Sequence, residues 1–323
     1  MKISIKKLAF SLSAVSLALM ASAGWAQTPD ECTVVGGITP DFTIAVASNF
    51  YTPAQRIVEM FQETEEGDGV VVQVCHNSTG LLVQEINGTG DYVGNANPRG
   101  FSLFLAANNT ATVVDNTNTA TNRIHLSASP IAGSNHTYAL GVPVLWSDEL
   151  STNKIITANT NNQNNAFMVN KTHVKTLAIG NPALAPYGVK AQAILQDIGQ
   201  WETPQDPPVN PVTHWITQYD NIDLARLAII GSGDAFGMND AGFVSMAQIC
   251  EKYKLQYIDD DNKPGIHDFG STYYTIQNGL LISQSTTENN LAAAYYTYLR
   301  GNDAQEVLVE DLCYASTTYI SSK

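Results

Sequence analysis

Residues 181–188 read NPALAPYG, and this stretch decides the fold. An apolar run, Thr176–Ile179, precedes it, and an amphipathic segment, VKAQAILQDIGQW, follows it. In that segment Ala191, Ile194, Leu195 and Ile198 fall at i, i+3, i+4 and i+7, one apolar face of a helix. The reading is a strand, a turn and the N-terminus of a helix. A helix start presents backbone N–H groups without intrahelical acceptors and carries a partial positive charge, so it favours an anion.

Three more strand-to-helix turns have the same character: Ser48-Asn49, Asn77-Ser78-Thr79-Gly80 and Asn221-Ile222. The first follows the apolar strand Thr43–Ser48. The helix after it is expected to open at Thr52-Pro53 and buries Ala54, Ile57, Val58 and Phe61. The second follows Val70–Cys75 and leads into a helix carrying Leu81, Leu82, Val83 and Ile86. A third strand is expected to start at Asp91–Val93. Further along, Tyr138–Trp146 (YALGVPVLW) reads as one long strand, Ile222–Ile230 as a short helix, and Ala241–Met246 as a buried strand. Ser271–Ser283 reads as one or two strands around Asn278-Gly279, and Leu291–Leu312 as a helical region interrupted near Gly301. Strands alternating with helices predict an α/β fold with βαβ crossovers. The Asn/Thr-rich stretches 108–122 and 152–170 lack hydrophobic periodicity and read as surface loops.

The N-terminus has the pattern of a secretory signal: Lys2, Lys6 and Lys7, then an apolar run from Leu8 to Met20, then small residues up to Ala26. Cleavage is expected after Ala26, with Ala23 as the second choice. The apolar run is short for a membrane span. Without those three lysines, the 16 basic residues fall to about 13 against 30 acids, a formal charge of about −17. Such a chain does not bind nucleic acid by neutralising phosphates, but net charge says little about a local site. Four cysteines, Cys32, Cys75, Cys250 and Cys313, in an exported chain point to disulfides. The pairing Cys32–Cys75 and Cys250–Cys313 is favoured only because each pair is nearest in sequence; buried free thiols are the alternative.

In open α/β sheets, ligands sit beyond the carboxyl ends of the strands. If two of the turns belong to each of two lobes, the four helix starts meet at one cleft. The hydroxyls of Ser48 and Ser78, with backbone N–H groups, then surround an oxyanion without lysine or arginine. Taken singly, each of these serines and asparagines is first of all a helix cap.

The stretches TIAVASNFYTPAQRIVEMF, NSTGLLVQEI, GDYVGNA, YALGVPVLWS, LAIGNPALAPYGVKAQAILQDIGQW, NIDLARLAIIGSGDA, AGFVSMAQI and AAAYYTYLRGNDAQEVL run in order along nearly the whole mature chain. With them the chain resembles the periplasmic molybdate-binding proteins of ABC importers. The resemblance implies a two-lobed type II periplasmic binding protein fold, each lobe a mostly parallel sheet flanked by helices, joined by crossover strands. Residues 1–26 are then the signal peptide, 27–137 with 250–323 the first lobe, and 138–249 the second.

The implied function is capture of molybdate or tungstate and delivery to an ABC permease in the inner membrane. The receptor would be a periplasmic monomer, not an enzyme, with no cofactor and no direct metal ligand. The implied oxyanion-binding residues are Ser48, Asn49, Ser78 with adjacent Thr79, Tyr187 through its backbone, and Ile222 likewise. One branch of the family adds a tyrosine after the strand matched by AGFVS; this chain has Ser245 there. The chain also departs from the family in its longer Asn-rich stretches, its cysteines, the expanded segment Ser232–Asp240 and the loop at Asp259–Asp268.

Other readings stay open on sequence alone. Another oxyanion (sulfate, chromate or vanadate) shares charge or shape with molybdate. An exported adhesion or partner-binding protein would use the Asn/Thr-rich loops. Tyr273-Tyr274 and Tyr295-Tyr296 raise a ferric-iron site, Asp259-Asp260-Asp261-Asn262 a calcium loop, and His76 a direct anion contact. For each of these, packing or a solvated loop is the plainer reading. The enzyme class lacks a G-x-S-x-G or Cys/His signature.

Overall fold

The computed structural model describes residues 32–160, 166–206, 214–230, 239–250 and 265–317. The expected signal peptide, most of Ser232–Asp240 and the run Asp259–Asn262 lie outside the described residues. Two sheets organise the chain. The first contains β1 (Cys32–Val35), β2 (Phe42–Ala47), β3 (Val72–Asn77), β4 (Phe101–Leu105) and β5 (His136–Gly141). The second contains β6 (Pro143–Trp146), β7 (Leu177–Gly180), β8 (Ile216–Tyr219), β9 (Ala241–Ser245) and β10 (Ile266–Asp268). A final strand, β11 (Thr275–Leu281), returns to the first sheet.

The first sheet has the order β1-β3-β2-β4-β11-β5, and the second β8-β7-β9-β6-β10. Each is parallel at its centre, β3-β2-β4 in one and β8-β7-β9 in the other. The strands that carry the chain between lobes pair antiparallel, so both sheets are mixed.

Alternation along the strands builds a core on each face. Ile44 and Val46 of β2 pack with helix α1 (Tyr51–Phe61) and helix α5 (Thr286–Leu299). Ala45 packs the other way, with helix α2 (Thr79–Asn87). In the second sheet, Leu177 and Ile179 meet Ala191, Ile194 and Leu195 of helix α3 (Pro186–Asp197). Ala178 faces helix α4 (Ile222–Leu227). Fully burying an Ile or Leu side chain contributes about 1.5–3 kcal/mol. Gly301 separates α5 from α6 (Asn302–Glu310), where the interruption was expected.

Several expectations are corrected. The run YALGVPVLW is two strands in different sheets, broken at Val142. The third parallel strand is FSLFL at Phe101–Leu105, not Asp91–Val93. Gly88, Gly90 and Gly94 adopt positive φ and turn the chain there. Helix α1 opens at Tyr51 with Phe50 in the cap position, so Thr52 lies inside it rather than capping it. The stretch 152–170 contains two short paired strands, and Val114–Asp115 in the stretch 108–122 pairs with Ile124–His125 beyond it. Sheet membership puts His136–Gly141 with the first sheet and Ile266–Asp268 with the second.

Both expected disulfides are present. Cys32–Cys75 staples β1 to β3, with Cα atoms 4.0 Å apart. Cys250–Cys313 joins the segment after β9 to the C-terminal segment, which runs beside β5 through Ala315 N–H to Leu140 C=O at 2.9 Å.

Candidate functional site

The carboxyl ends of the parallel strands converge on a small cavity of about 10 Å³, walled by buried residues. Ser48, Asn49, Ser78, Thr79, Tyr187 and Ile222 all line it, so all six sequence-derived candidates are brought together. None is more than 6% exposed. Ala107, after β4, and Ala185, before α3, complete the small-residue part of the wall. Among the described residues, no lysine, arginine or histidine lines the cavity.

The local hydrogen bonding explains which donors remain. In the turn after β3, Ser78 N–H donates to Asn77 Oδ1 (2.8 Å) and Gly80 N–H to Leu184 C=O (2.8 Å). Leu81 N–H is capped by Ser78 Oγ at 3.3 Å, and Thr79 Oγ1 accepts from Ala107 N–H at 3.1 Å. Both hydroxyls act there as acceptors, which leaves their O–H groups to donate. Among the described residues, Thr79 N–H has no protein acceptor.

The NPALAPYG turn follows the same logic. Ala183 N–H donates to Asn181 Oδ1, Leu184 and Ala185 N–H to Asn181 C=O, and Gly188 and Val189 N–H to Ala185 C=O. Pro186, at the first helical position, has no N–H. Tyr187 N–H is left over among the described residues. In the turn after β8, Asn221 caps α4 by accepting from Leu224 N–H at 2.9 Å, and Ile222 N–H is left over. In each of these three turns a residue of the cavity wall, Thr79, Tyr187 or Ile222, keeps an N–H without a protein acceptor among the described residues.

At the first turn, a 3₁₀ turn over Ser48–Phe50, the side chain of Asn49 is committed elsewhere. Its Nδ2 donates to Gln277 Oε1 (3.2 Å) and to the Tyr314 hydroxyl (3.3 Å). What Asn49 offers the cavity is therefore its backbone. Ser48 Oγ lies 3.3 Å from His76 Nδ1, and the His76 ring stacks on Tyr51 with centroids 4.0 Å apart. His76 lines an adjoining cleft, not the cavity, so the histidine is a neighbour of a wall residue.

That adjoining cleft is larger, about 350 Å³, and shares Ser48 and Asn49 as a wall. It holds Arg226, whose Nε donates to Asp223 Oδ1 at 2.8 Å. The smaller cavity is the better site, because there the helix starts of both lobes converge with donors unspent. The lobes are closed over it. Gly80 and Leu184 touch across the rim, and a Cβ on Gly80 would lie 2.9 Å from Leu184 C=O oxygen.

The tyrosine pairs do not form a metal site. Tyr273 donates to Asp197, Tyr274 to Asp268, Tyr295 to Ala54 C=O and Tyr296 to His136 C=O, each in a separate place. No metal-binding group of histidines, cysteines and carboxylates occurs among the described residues.

Sequence reading missed the layer beneath the cavity. Tyr187 OH accepts from Ser245 Oγ (2.9 Å) and from Gln277 Nε2 (3.1 Å). Burial pushes the phenol of Tyr187 up to about 12, so it stays protonated. Ser245, the residue in place of the family's tyrosine, therefore supports Tyr187 rather than lining the cavity. The available signal for Gln277 was its register: Thr275, Gln277 and Gly279 alternate on the buried face of β11.

Residues 42–311 match the family of bacterial extracellular solute-binding proteins. The molybdate-binding protein ModA of Azotobacter vinelandii is 28% identical over 265 residues, covering 82% of this chain and 86% of that protein. The molybdate-binding protein ModA of Rhodobacter capsulatus is 24% identical over 271 residues, covering 82% and 84%. The solved periplasmic molybdate-binding protein of Azotobacter vinelandii superposes with a TM-score of 0.57 at 20% identity, over 85% of this chain and 98% of that one. That likeness carries the fold, the two-lobed type II periplasmic binding fold. With the family match spanning most of its length, the chain belongs to the bacterial extracellular solute-binding proteins.

Proposed function

We propose that this chain captures molybdate, or its analogue tungstate, between its lobes and hands it to the membrane permease of an ABC importer. The observation that carries this reading is a small cavity walled by buried residues whose available donors are all neutral. Ser78 supplies an O–H group, and Ser48 supplies one when His76 Nδ1 carries the proton and donates to Ser48 Oγ; Asn49, Thr79, Tyr187 and Ile222 supply backbone N–H groups. A tetrahedral dianion has four oxygens, each able to accept more than one such bond. Hydrogen bonds to a charged group are stronger than neutral ones, and in a water-excluded cavity the donors need no reorganisation to meet it. Without a fixed cation, the charge is held by dipoles alone, which keeps release possible when the lobes part.

The two curated relatives are named for molybdate binding, which supports this oxyanion over others of the same shape. Solute-binding proteins are non-enzymatic components of transport, so molybdate is cargo here and not a cofactor. In this reading the signal peptide ends at Ala26 and the mature chain works in the periplasm as a monomer.

Isothermal titration calorimetry of the mature chain tests the proposal. Molybdate and tungstate are expected to bind and to displace sulfate. Heat with sulfate that molybdate does not displace reassigns the site to sulfate. No heat with any tetrahedral oxyanion overturns the reading.

A further inference from the structure

Beneath the cavity, one side chain touches a wall residue from each lobe. Gln277 is fully buried on β11, in the first sheet. Its Oε1 accepts from Asn49 Nδ2 at 3.2 Å and from the Tyr138 hydroxyl at 3.0 Å. Its Nε2 donates to the Tyr187 hydroxyl at 3.1 Å. Asn49 belongs to the turn after β2, and Tyr187 to the start of α3 on the second sheet. Gln277 itself lines neither void.

The position is built for this side chain. Gln277 pairs with Ala139 on β5, and Thr275 pairs with Gly141, the last residue of β5 before the chain crosses to the second sheet. A Cβ on Gly141 would lie 2.2 Å from Gln277 Nε2 and 2.1 Å from Tyr187 OH, so only glycine leaves room for the contact. A neutral carboxamide is the group that donates and accepts from one end. Glutamate would lose the donor and bury a charge; methionine would lose both functions. The Tyr187 hydroxyl also receives Ser245 Oγ, and Asn49 is also held by Tyr314, so each partner keeps a second anchor. Because Gln277, Asn49 and Tyr138 all belong to the first lobe, the bond to Tyr187 is the one that spans the lobes.

We propose that Gln277 is a positioning residue for the cavity: its amide registers the Asn49 turn of one lobe against Tyr187 of the other and so sets how long the closed state holds its ligand. This rests on the reading of the cavity as an oxyanion site. A side chain with a merely structural role would change thermal stability and leave affinity alone. A positioning residue changes the dissociation rate.

The test compares wild type, Gln277→Met, Tyr187→Phe and the double variant. Molybdate affinity is measured by calorimetry and dissociation by stopped-flow fluorescence. Either single variant is expected to weaken molybdate binding roughly five- to tenfold, through faster release. The double variant is expected to lose less than the sum of the two single losses, because the bond between Gln277 and Tyr187 is common to both. Tyr187→Phe removes one oxygen and keeps the backbone N–H, so it carries the test if Gln277→Met does not fold. Binding within twofold of wild type in Tyr187→Phe, or strictly additive losses, overturns the role of Gln277. Wild type that binds no oxyanion overturns the functional reading instead, and the two failures are distinct.

Discussion

The two sides of the cavity offer different chemistry. The first lobe presents hydroxyls, Ser48 and Ser78, together with amides. The second presents only amides, because the Tyr187 side chain turns down to Ser245 and Gln277 and the Ile222 side chain packs in the core. In the proposed function, a ligand is met on one side by side chains that substitution can delete, and on the other by backbone that it reaches only through proline. The difference teaches that side-chain scanning alone would find half of this site.

The comparison breaks most sharply on the hydroxyl side. Ser48→Ala with Ser78→Ala removes two donors to a charged ligand, each worth roughly 1.5–3 kcal/mol. If the two act independently, molybdate affinity falls by roughly two to four orders of magnitude in calorimetry. On the amide side, Ile222→Pro removes one N–H at the first position of α4, where proline suits a helix. A loss of roughly 1.5–3 kcal/mol in binding is expected. Ile222→Val keeps the N–H and should bind nearly as wild type, which separates the amide from the packing.

Gly80→Ala tests closure itself. The added Cβ presses on the Leu184 backbone across the rim, and such overpacking costs about 1–3 kcal/mol. Alanine also favours helix by up to about 1 kcal/mol over glycine. Affinity should therefore fall while the thermal midpoint of the ligand-free protein holds or rises.

The smallest effect is in pH. The Tyr187 phenol is raised from 10.0 to about 12 by burial, so the folded state keeps its proton longer than the unfolded chain. Its contribution to stability is intact below about pH 10 and declines as pH rises towards 12, by at most about 1.4 kcal/mol per pH unit. Thermal midpoints measured between pH 8 and about 11 should be level at first and then decline, more shallowly in Tyr187→Phe.

Much of this was legible because caps and apolar runs are local. NPALAPYG announces its turn by proline and glycine, and Asn221 and Ser78 cap the helices they precede. The face of α1 and both disulfide pairings were also readable. The long-range misreading has a clear cause: the deciding partner is distant in sequence. YALGVPVLW is apolar throughout, so nothing local says that Val142 passes from one sheet to another. Around Asn278-Gly279 the sequence left one or two strands open; the structure has one, β11, with a bulge there, paired with β5 and β4. Gln277 was hidden by that reading, since its partners are 228 residues away at Asn49 and 90 away at Tyr187.

A crystal structure of the mature chain grown with molybdate tests the central claim most directly. The account places the anion in the small cavity, with oxygens about 2.7–3.2 Å from Tyr187 N, Ile222 N, Ser48 Oγ and Ser78 Oγ and no cationic side chain in contact. Molybdate bound in the adjoining cleft against Arg226 or His76, with those four atoms unused, would contradict it.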